Sequence, residues 1–221
     1  LVLRFSKKLS SANAVSPQSM PSRQPSKELA ARESATDGYA ALVDKPRFDP
    51  AEIAPAAAWR QLSDGGYSEV FRASMLGITV AIKQATPRKK TSGEALLREV
   101  RYLRLAGAHP NIVQPYGAFV ERDRLHLVLE YARHCLRADR VARMADPILV
   151  FAGVARALVR LHSIGIVHRD LKARNVLVAA DNRALLIDFG LACHVHDDPA
   201  EWVMRTVGTK KYRPPEMREG R

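Results

Sequence analysis

The chain has 221 residues, 47% of them hydrophobic, and a formal net charge of +12. That is enough apolar content for one large domain or two small ones, and no apolar run approaches the roughly eighteen residues a membrane-crossing helix needs. Residues 1–56 carry eight Lys/Arg and six Asp/Glu, so most of the positive charge belongs to the rest of the chain. There it is spread as single arginines without aromatic interleaving, which predicts a solvated surface and no specific nucleic-acid partner. Cys135 and Cys193 stand far apart, without metal-ligand or redox spacing, and read as reduced thiols in a cytosolic setting.

Residues 1–56 are rich in Ser, Ala and Pro and lack sustained periodicity, so they bury too little apolar surface to offset the entropy of ordering. A disordered tail is expected there. Its first 26 residues hold no acids and carry Arg4, Lys7, Lys8 and Arg23 among serines, a faint echo of a transit peptide beside the expected cytoplasmic location. From Trp59 onward short apolar runs begin. A hairpin is predicted around Gly65-Gly66, followed by the strand Val80-Ala81-Ile82-Lys83 with one embedded lysine. Thr91-Ser92-Gly93-Glu94 has capping-box spacing, and Leu96, Val100 and Leu103 recur at helical intervals up to Gly107. Strands are predicted over 113–120 and 125–131, joined by the polar turn Glu121 to Arg124.

Asp146-Pro147 reads as a helix start, an acceptor followed by proline at the first helical position, with Phe151, Val154, Leu158 and Leu161 on one face and Gly165 closing the helix. Next comes His168-Arg169-Asp170-Leu171-Lys172-Ala173-Arg174-Asn175, then two short apolar runs around an Asp181-Asn182 turn, then Ile187-Asp188-Phe189-Gly190. Gly208-Thr209-Lys210-Lys211-Tyr212-Arg213-Pro214-Pro215-Glu216 follows. Phosphoryl transfer from ATP needs a carboxylate to orient the attacking hydroxyl, a cation on the migrating group and oxygen ligands for magnesium. Asp170, Lys172, Asn175 and Asp188 supply those types.

Their order and spacing match H-R-D-L-x-x-x-N followed by D-F-G, and the chain from Trp59 to Arg221 resembles a eukaryotic protein kinase. The resemblance implies an α+β, bilobal kinase fold, a β-sheet lobe with one helix and a mainly helical lobe that is incomplete in this chain, with the domain at 59–221 after the tail. It implies ATP and Mg2+ as cofactors and a protein as substrate, and leaves oligomeric state open. Asp170 would orient or deprotonate the substrate hydroxyl, Lys172 would stabilise the transferred phosphoryl, and Asn175 and Asp188 would hold magnesium. Lys83 would clamp the α- and β-phosphates, paired with Glu99; Glu94 reads as an acid at the helix start. His168 reads as an anchor of the loop.

Leu62, Gly65, Val70 and Ala81 would line the nucleotide, under a tip carrying Tyr67. Leu129 would be the gatekeeper, and Glu130 and Ala132 part of the adenine-binding hinge. Ser63 and Ser68 stand where the family's loop has its first and third glycines, which leaves a nucleotide-binding scaffold without turnover as the alternative. Lys172 and the Gly-Thr-x-x-Tyr setting of Thr209 resemble serine/threonine kinases, whereas Ala173-Arg174-Asn175 echoes tyrosine kinases and their relatives. Thr206 is the expected activating phosphosite, with Arg169 as its cation and Asp197, Asp198 and Glu201 as partial substitutes for a phosphate. A complete kinase would continue with helices that cover an apolar face of the Phe151 helix and pair with Glu216.

Overall fold

The computed structural model describes residues 49–64, 68–86, 91–122, 124–136, 147–197 and 207–215. The expectations for the rest of the tail, Gly65, Tyr67, Asp146, Asp198, Glu201, Thr206 and Glu216 lie outside the described residues. A five-stranded antiparallel sheet comes first, with strand order β1-β2-β3-β5-β4. Its members are β1 (Arg60–Asp64), β2 (Ser68–Met75), β3 (Ile78–Ala85), β4 (Pro115–Glu121) and β5 (Arg124–Glu130). The β2–β3 turn is two residues, Leu76 and Gly77, both at positive φ (47° and 80°). That geometry suits the right-handed twist of a hairpin, and it sets the register that puts Val70 opposite Lys83.

Alternation along β3 divides its side chains between two faces. Val80 and Ile82 are fully buried in a small outer cluster with Ile53, Ala73, Met75 and Val128. Ala85 belongs to the main core beneath, and Ala81 packs against that core. Ile53 corrects the expected extent of the tail: residues from Asp49 on are built onto the sheet. Asp49 caps a short 3-10 turn with a capping box, Ile53 bridges Met75, and the Trp59 indole N–H donates to the Ala54 carbonyl at 2.7 Å. Apolar burial of Ile53 against the outer sheet face outweighs the low-complexity composition around it.

Helix α1 (Ser92–Ala106) follows β3. The capping box expected at Thr91 does not form; Ser92 Oγ instead donates to the Thr86 carbonyl at 2.6 Å, tying the helix start back to β3. Gly107, at φ 67°, ends the helix with its N–H on Leu103 and Arg104. Helix α2 (Pro147–Ser163) buries Val150, Gly153, Ala157 and Leu161. This stripe is shifted from the expected one: Val154 and Leu158 are only partly buried against the core, and Phe151 is 54% exposed, as are Ile148, Leu149 and Val159 to similar or greater degree. The reason is close approach. A Cβ on Gly153 would lie 2.7 Å from Asn111 Nδ2, so small residues face the core.

Below the sheet, β6 (His134–Cys135), β8 (Val176–Val178) and β9 (Ala184–Leu186) form a second sheet, and β7 (Ile166–Val167) pairs with β10 (Cys193–His194). These short strands carry the chemistry-bearing loops. Asp170 follows β7, Asn175 precedes β8 and Asp188 follows β9. The N–H of Leu186 donates to the Asn111 carbonyl at 2.9 Å, and the N–H of Val113 to the Leu186 carbonyl at 3.1 Å, joining the loop before β4 to β9. Among the described residues no helix is long and apolar enough to cross a membrane.

Candidate active site

Two clusters of charged side chains face one cleft. In the first, Lys83 Nζ lies 2.5 Å from Glu99 Oε2 and 2.9 Å from Asp188 Oδ1. Glu99 is 1% exposed and projects from the middle of α1, while Glu94 is exposed at the helix start. In the second, Asp170 Oδ2 lies 2.5 Å from Lys172 Nζ and accepts from Asn175 Nδ2 at 3.1 Å. Asp170 Oδ1 accepts both the N–H and the hydroxyl of Thr209, each at 2.8 Å, and Lys172 Nζ donates to the Thr209 hydroxyl at 3.0 Å. Asn175 Nδ2 also donates to the Asp170 carbonyl at 2.9 Å.

The backbone here is strained where the carboxylates are aimed. Asp188 (φ 68°) and Arg169 (φ 61°) both occupy the left-handed region, which non-glycine residues enter at a cost of order 1–3 kcal/mol and keep only when their surroundings hold them. The holding bonds are visible. His168, stacked edge-on against Phe189 with ring centroids 5.0 Å apart, contacts the Ile187 carbonyl through Nε2 at 2.9 Å and accepts the Asp170 N–H on Nδ1 at 3.3 Å. Ile187 N–H donates to the Asn175 carbonyl at 3.0 Å, and Arg169 Nε donates to Leu191 O at 2.6 Å. The loop before Asp170 and the turn after Asp188 are thus one unit.

A family model for the protein kinase domain matches residues 57–220. The chain belongs to the protein kinase family. Curated kinases similar to it include an Arabidopsis thaliana protein named as a probable LRR receptor-like serine/threonine-protein kinase, 35% identical over 171 residues, 71% of this chain and 17% of the relative. The Drosophila melanogaster serine/threonine-protein kinase PAK mbt is 37% identical over 145 residues, 64% of this chain and 22% of its own length. An Aurora kinase of Schizosaccharomyces pombe is 36% identical over 119 residues, 51% of this chain and 32% of the relative. The kinase chain therefore spans less than a fifth of the length of the first curated relatives it matches.

In the kinase cleft the charged forms of Lys83, Asp188 and Asp170 are favoured, whereas burial pushes the Glu99 carboxyl up against the opposing pull of Lys83. Burial opposes the charge on Lys83, but Glu99 and then Asp188 outweigh it and hold the ammonium above its ordinary value. Burial likewise pushes Asp188 up, and the Lys83 charge overrides it and holds the carboxyl low. Asp170 is also held low, since hydrogen bonds from Lys172 and Thr209 outweigh its desolvation. Burial lowers His168, leaving it neutral at physiological pH, an anchor and not a cation.

The remaining nucleotide-lining candidates are placed as follows. Val70 is partly buried on β2, Ala81 is partly buried opposite Leu129, and Leu62 is 46% exposed on β1 beside an irregularity in its pairing. Ala132 is partly buried after β5. Glu130 places its carboxylate on Arg183 at 2.6 Å, in the turn between β8 and β9, and donates its N–H to the Gln114 carbonyl at 2.9 Å. Sequence reasoning missed Arg183, and it missed Asn111, whose buried side chain donates to the Ala184 carbonyl at 2.9 Å and accepts from Arg156 at 3.2 Å. The His109-Pro110-Asn111 run was the available signal for Asn111; nothing local marks Arg183.

The donor set fits magnesium. Among the described residues no group of three or more His, Cys, Asp or Glu could hold a metal, whereas magnesium is commonly held by one or two protein oxygens with phosphates and water. Asp188 offers a carboxylate, and Asn175, its amide nitrogen committed to Asp170, offers the amide oxygen.

Proposed function

We propose that this domain is an ATP-dependent protein kinase that phosphorylates serine and threonine hydroxyls. The observation that carries the reading is the Asp170 carboxylate, kept ionised and aimed by Lys172, Asn175 and Thr209. Asp170 accepts the proton of the substrate hydroxyl and directs the oxygen at the γ-phosphorus. As that P–O bond forms, the bond to the ADP oxygen breaks, and Lys172 stands where negative charge on the transferred group needs a cation. Lys83, fixed by Glu99, orients the α- and β-phosphates; Asn175 and Asp188 hold magnesium. When bound, magnesium screens the phosphates and neutralises charge on the leaving group.

Three things favour serine and threonine over tyrosine. Lys172 follows Asp170 by two residues, Thr209 closes on both of them, and the similar kinases are named as serine/threonine enzymes. The test is transfer from γ-labelled ATP to a generic basic protein by the intact protein, followed by hydrolysis and separation of the labelled amino acids. Phosphoserine and phosphothreonine are expected; labelled phosphotyrosine alone would overturn the specificity.

A further inference from the structure

Tyr102 and Asp197, separated by 95 positions, join α1 to the segment that follows the Asp188 turn. Tyr102 is 2% exposed and stands one helical turn after Glu99. Its hydroxyl donates to Asp197 Oδ2 at 2.7 Å. The same oxygen accepts the His194 N–H at 2.7 Å, and the Asp197 N–H donates back to the His194 carbonyl at 2.9 Å. The carboxylate is therefore fixed by its own turn before it takes the tyrosine. His194 and Cys193 pair with β7, which ends three residues ahead of Asp170. Hydrogen bonds thus run from Tyr102, on the same helix as Glu99, through Asp197 and β10 to β7, the strand before the loop that holds Asp170.

The bond is a strong type. Burial and Asp197 push the Tyr102 hydroxyl up to about 12, while the His194 N–H and Tyr102 overcome desolvation and hold the Asp197 carboxyl low. A protonated phenol on an ionised carboxylate is a charge-assisted hydrogen bond. Packing alone does not account for it, because phenylalanine would fill the same volume without leaving a buried hydroxyl to satisfy. The expectation that Asp197 stands in for a phosphate facing Arg169 changes accordingly: its carboxylate is committed to α1.

We propose that Tyr102 and Asp197 are a positioning pair, in which an acid encoded in the segment tethers α1 and keeps Glu99 on Lys83 without a phosphate on that segment. Its consequence for nucleotide binding rests on the reading of Lys83 and Glu99 as the phosphate clamp. The experiment is hydrogen–deuterium exchange over 92–106 in the intact protein, with and without phosphatase treatment, for the parent, Tyr102→Phe, Asp197→Ala and Asp197→Asn. Affinities for MgATP and for adenosine are measured in parallel.

Phosphatase should leave α1 protection unchanged. Tyr102→Phe and Asp197→Ala should speed α1 exchange about tenfold and lower the preference for MgATP over adenosine by a similar factor, the scale of one hydrogen bond to a charged group. Asp197→Asn keeps an oxygen acceptor but loses the charge, and should fall between the parent and Asp197→Ala in both. Protection that vanishes on dephosphorylation would overturn the proposal. So would Tyr102→Phe and Asp197→Ala proteins that melt lower yet keep parental α1 exchange and the parental nucleotide ratio. A parent protein with no preference for MgATP over adenosine would remove the clamp reading, and α1 exchange would still decide the tether.

Discussion

Thr209 gives both its N–H and its hydroxyl to one oxygen of Asp170, each at 2.8 Å across 39 positions of sequence. The Asp170 carboxylate is thereby held by a residue beyond the segment that follows Asp188. Thr209→Val keeps the backbone donor and removes the hydroxyl, which also accepts from Lys172. Losing a hydrogen bond to a charged group should lower kcat about ten- to a hundredfold, and Thr209→Ser should restore most of it. Steady-state kinetics of the two variants check this.

Gly208 is the neighbour that allows the approach. It sits at φ 79°, and a Cβ there would fall 2.4 Å from the Arg169 carbonyl oxygen. Gly208→Ala must displace either Thr209 or the loop holding Asp170. The expected outcome is at least a tenfold loss of kcat, together with about 1–2 kcal/mol of stability for the left-handed conformation alone. A chemical denaturation curve and an activity assay on the same sample measure both.

Glu99 and Glu94 lie on one helix and differ in burial, so they separate role from composition. Glu99→Gln removes the charge from a pair whose side chains are 13% and 2% exposed. Leaving a buried cation short of its partner costs up to about 3–5 kcal/mol, with the lower end expected because Asp188 remains on Lys83. The loss in kcat/KM should be roughly 10²–10³. Glu94→Gln, at an exposed first-turn position, should change stability by no more than about 0.5 kcal/mol. Parallel melts and ATP-dependence curves distinguish the two.

Acid should weaken the fold before it discharges Asp170. His168 and His126 are both buried, and burial holds both below their ordinary value. The unfolded chain then takes up protons first, so stability is full above about pH 6.5 and is lost as pH falls below it, by at most about 1.4 kcal/mol per pH unit for each histidine. Asp170 is held low, so its contribution persists until pH falls below about 4. Denaturation midpoints from pH 7 to 5 should decline, and His126→Gln should flatten the slope. The acid limb of kcat/KM assigned to Asp170 should lie below pH 4.

Local chemistry made much of this readable from sequence. The run Val80 to Lys83 alternates as a strand must, Glu99 falls on the helical spacing of Leu96, Val100 and Leu103, and Gly107 marks where that helix stops. Periodicity says which side of an element is apolar, not which element covers it. Periodicity puts Phe151, Val154, Leu158 and Leu161 on one apolar face, but the close approach of Asn111 gives the core-facing stripe to Gly153 and its neighbours and leaves Phe151 exposed. Ile53 reads as tail because its neighbours are polar and small, whereas the outer sheet face takes one apolar residue there. The bonds from Tyr102 to Asp197 and from Arg183 to Glu130 join residues 95 and 53 positions apart, and no local pattern encodes such partners.

The most direct test of the account is magnesium-dependent transfer from γ-labelled ATP by the intact protein and by its Asp170→Asn variant, with nucleotide affinity measured in both. The parent should transfer phosphate to serine or threonine, and the variant should lose roughly 10²–10³ in kcat with nearly equal ATP affinity. A parent that binds ATP and transfers nothing, or a variant that transfers as fast as the parent, would contradict it.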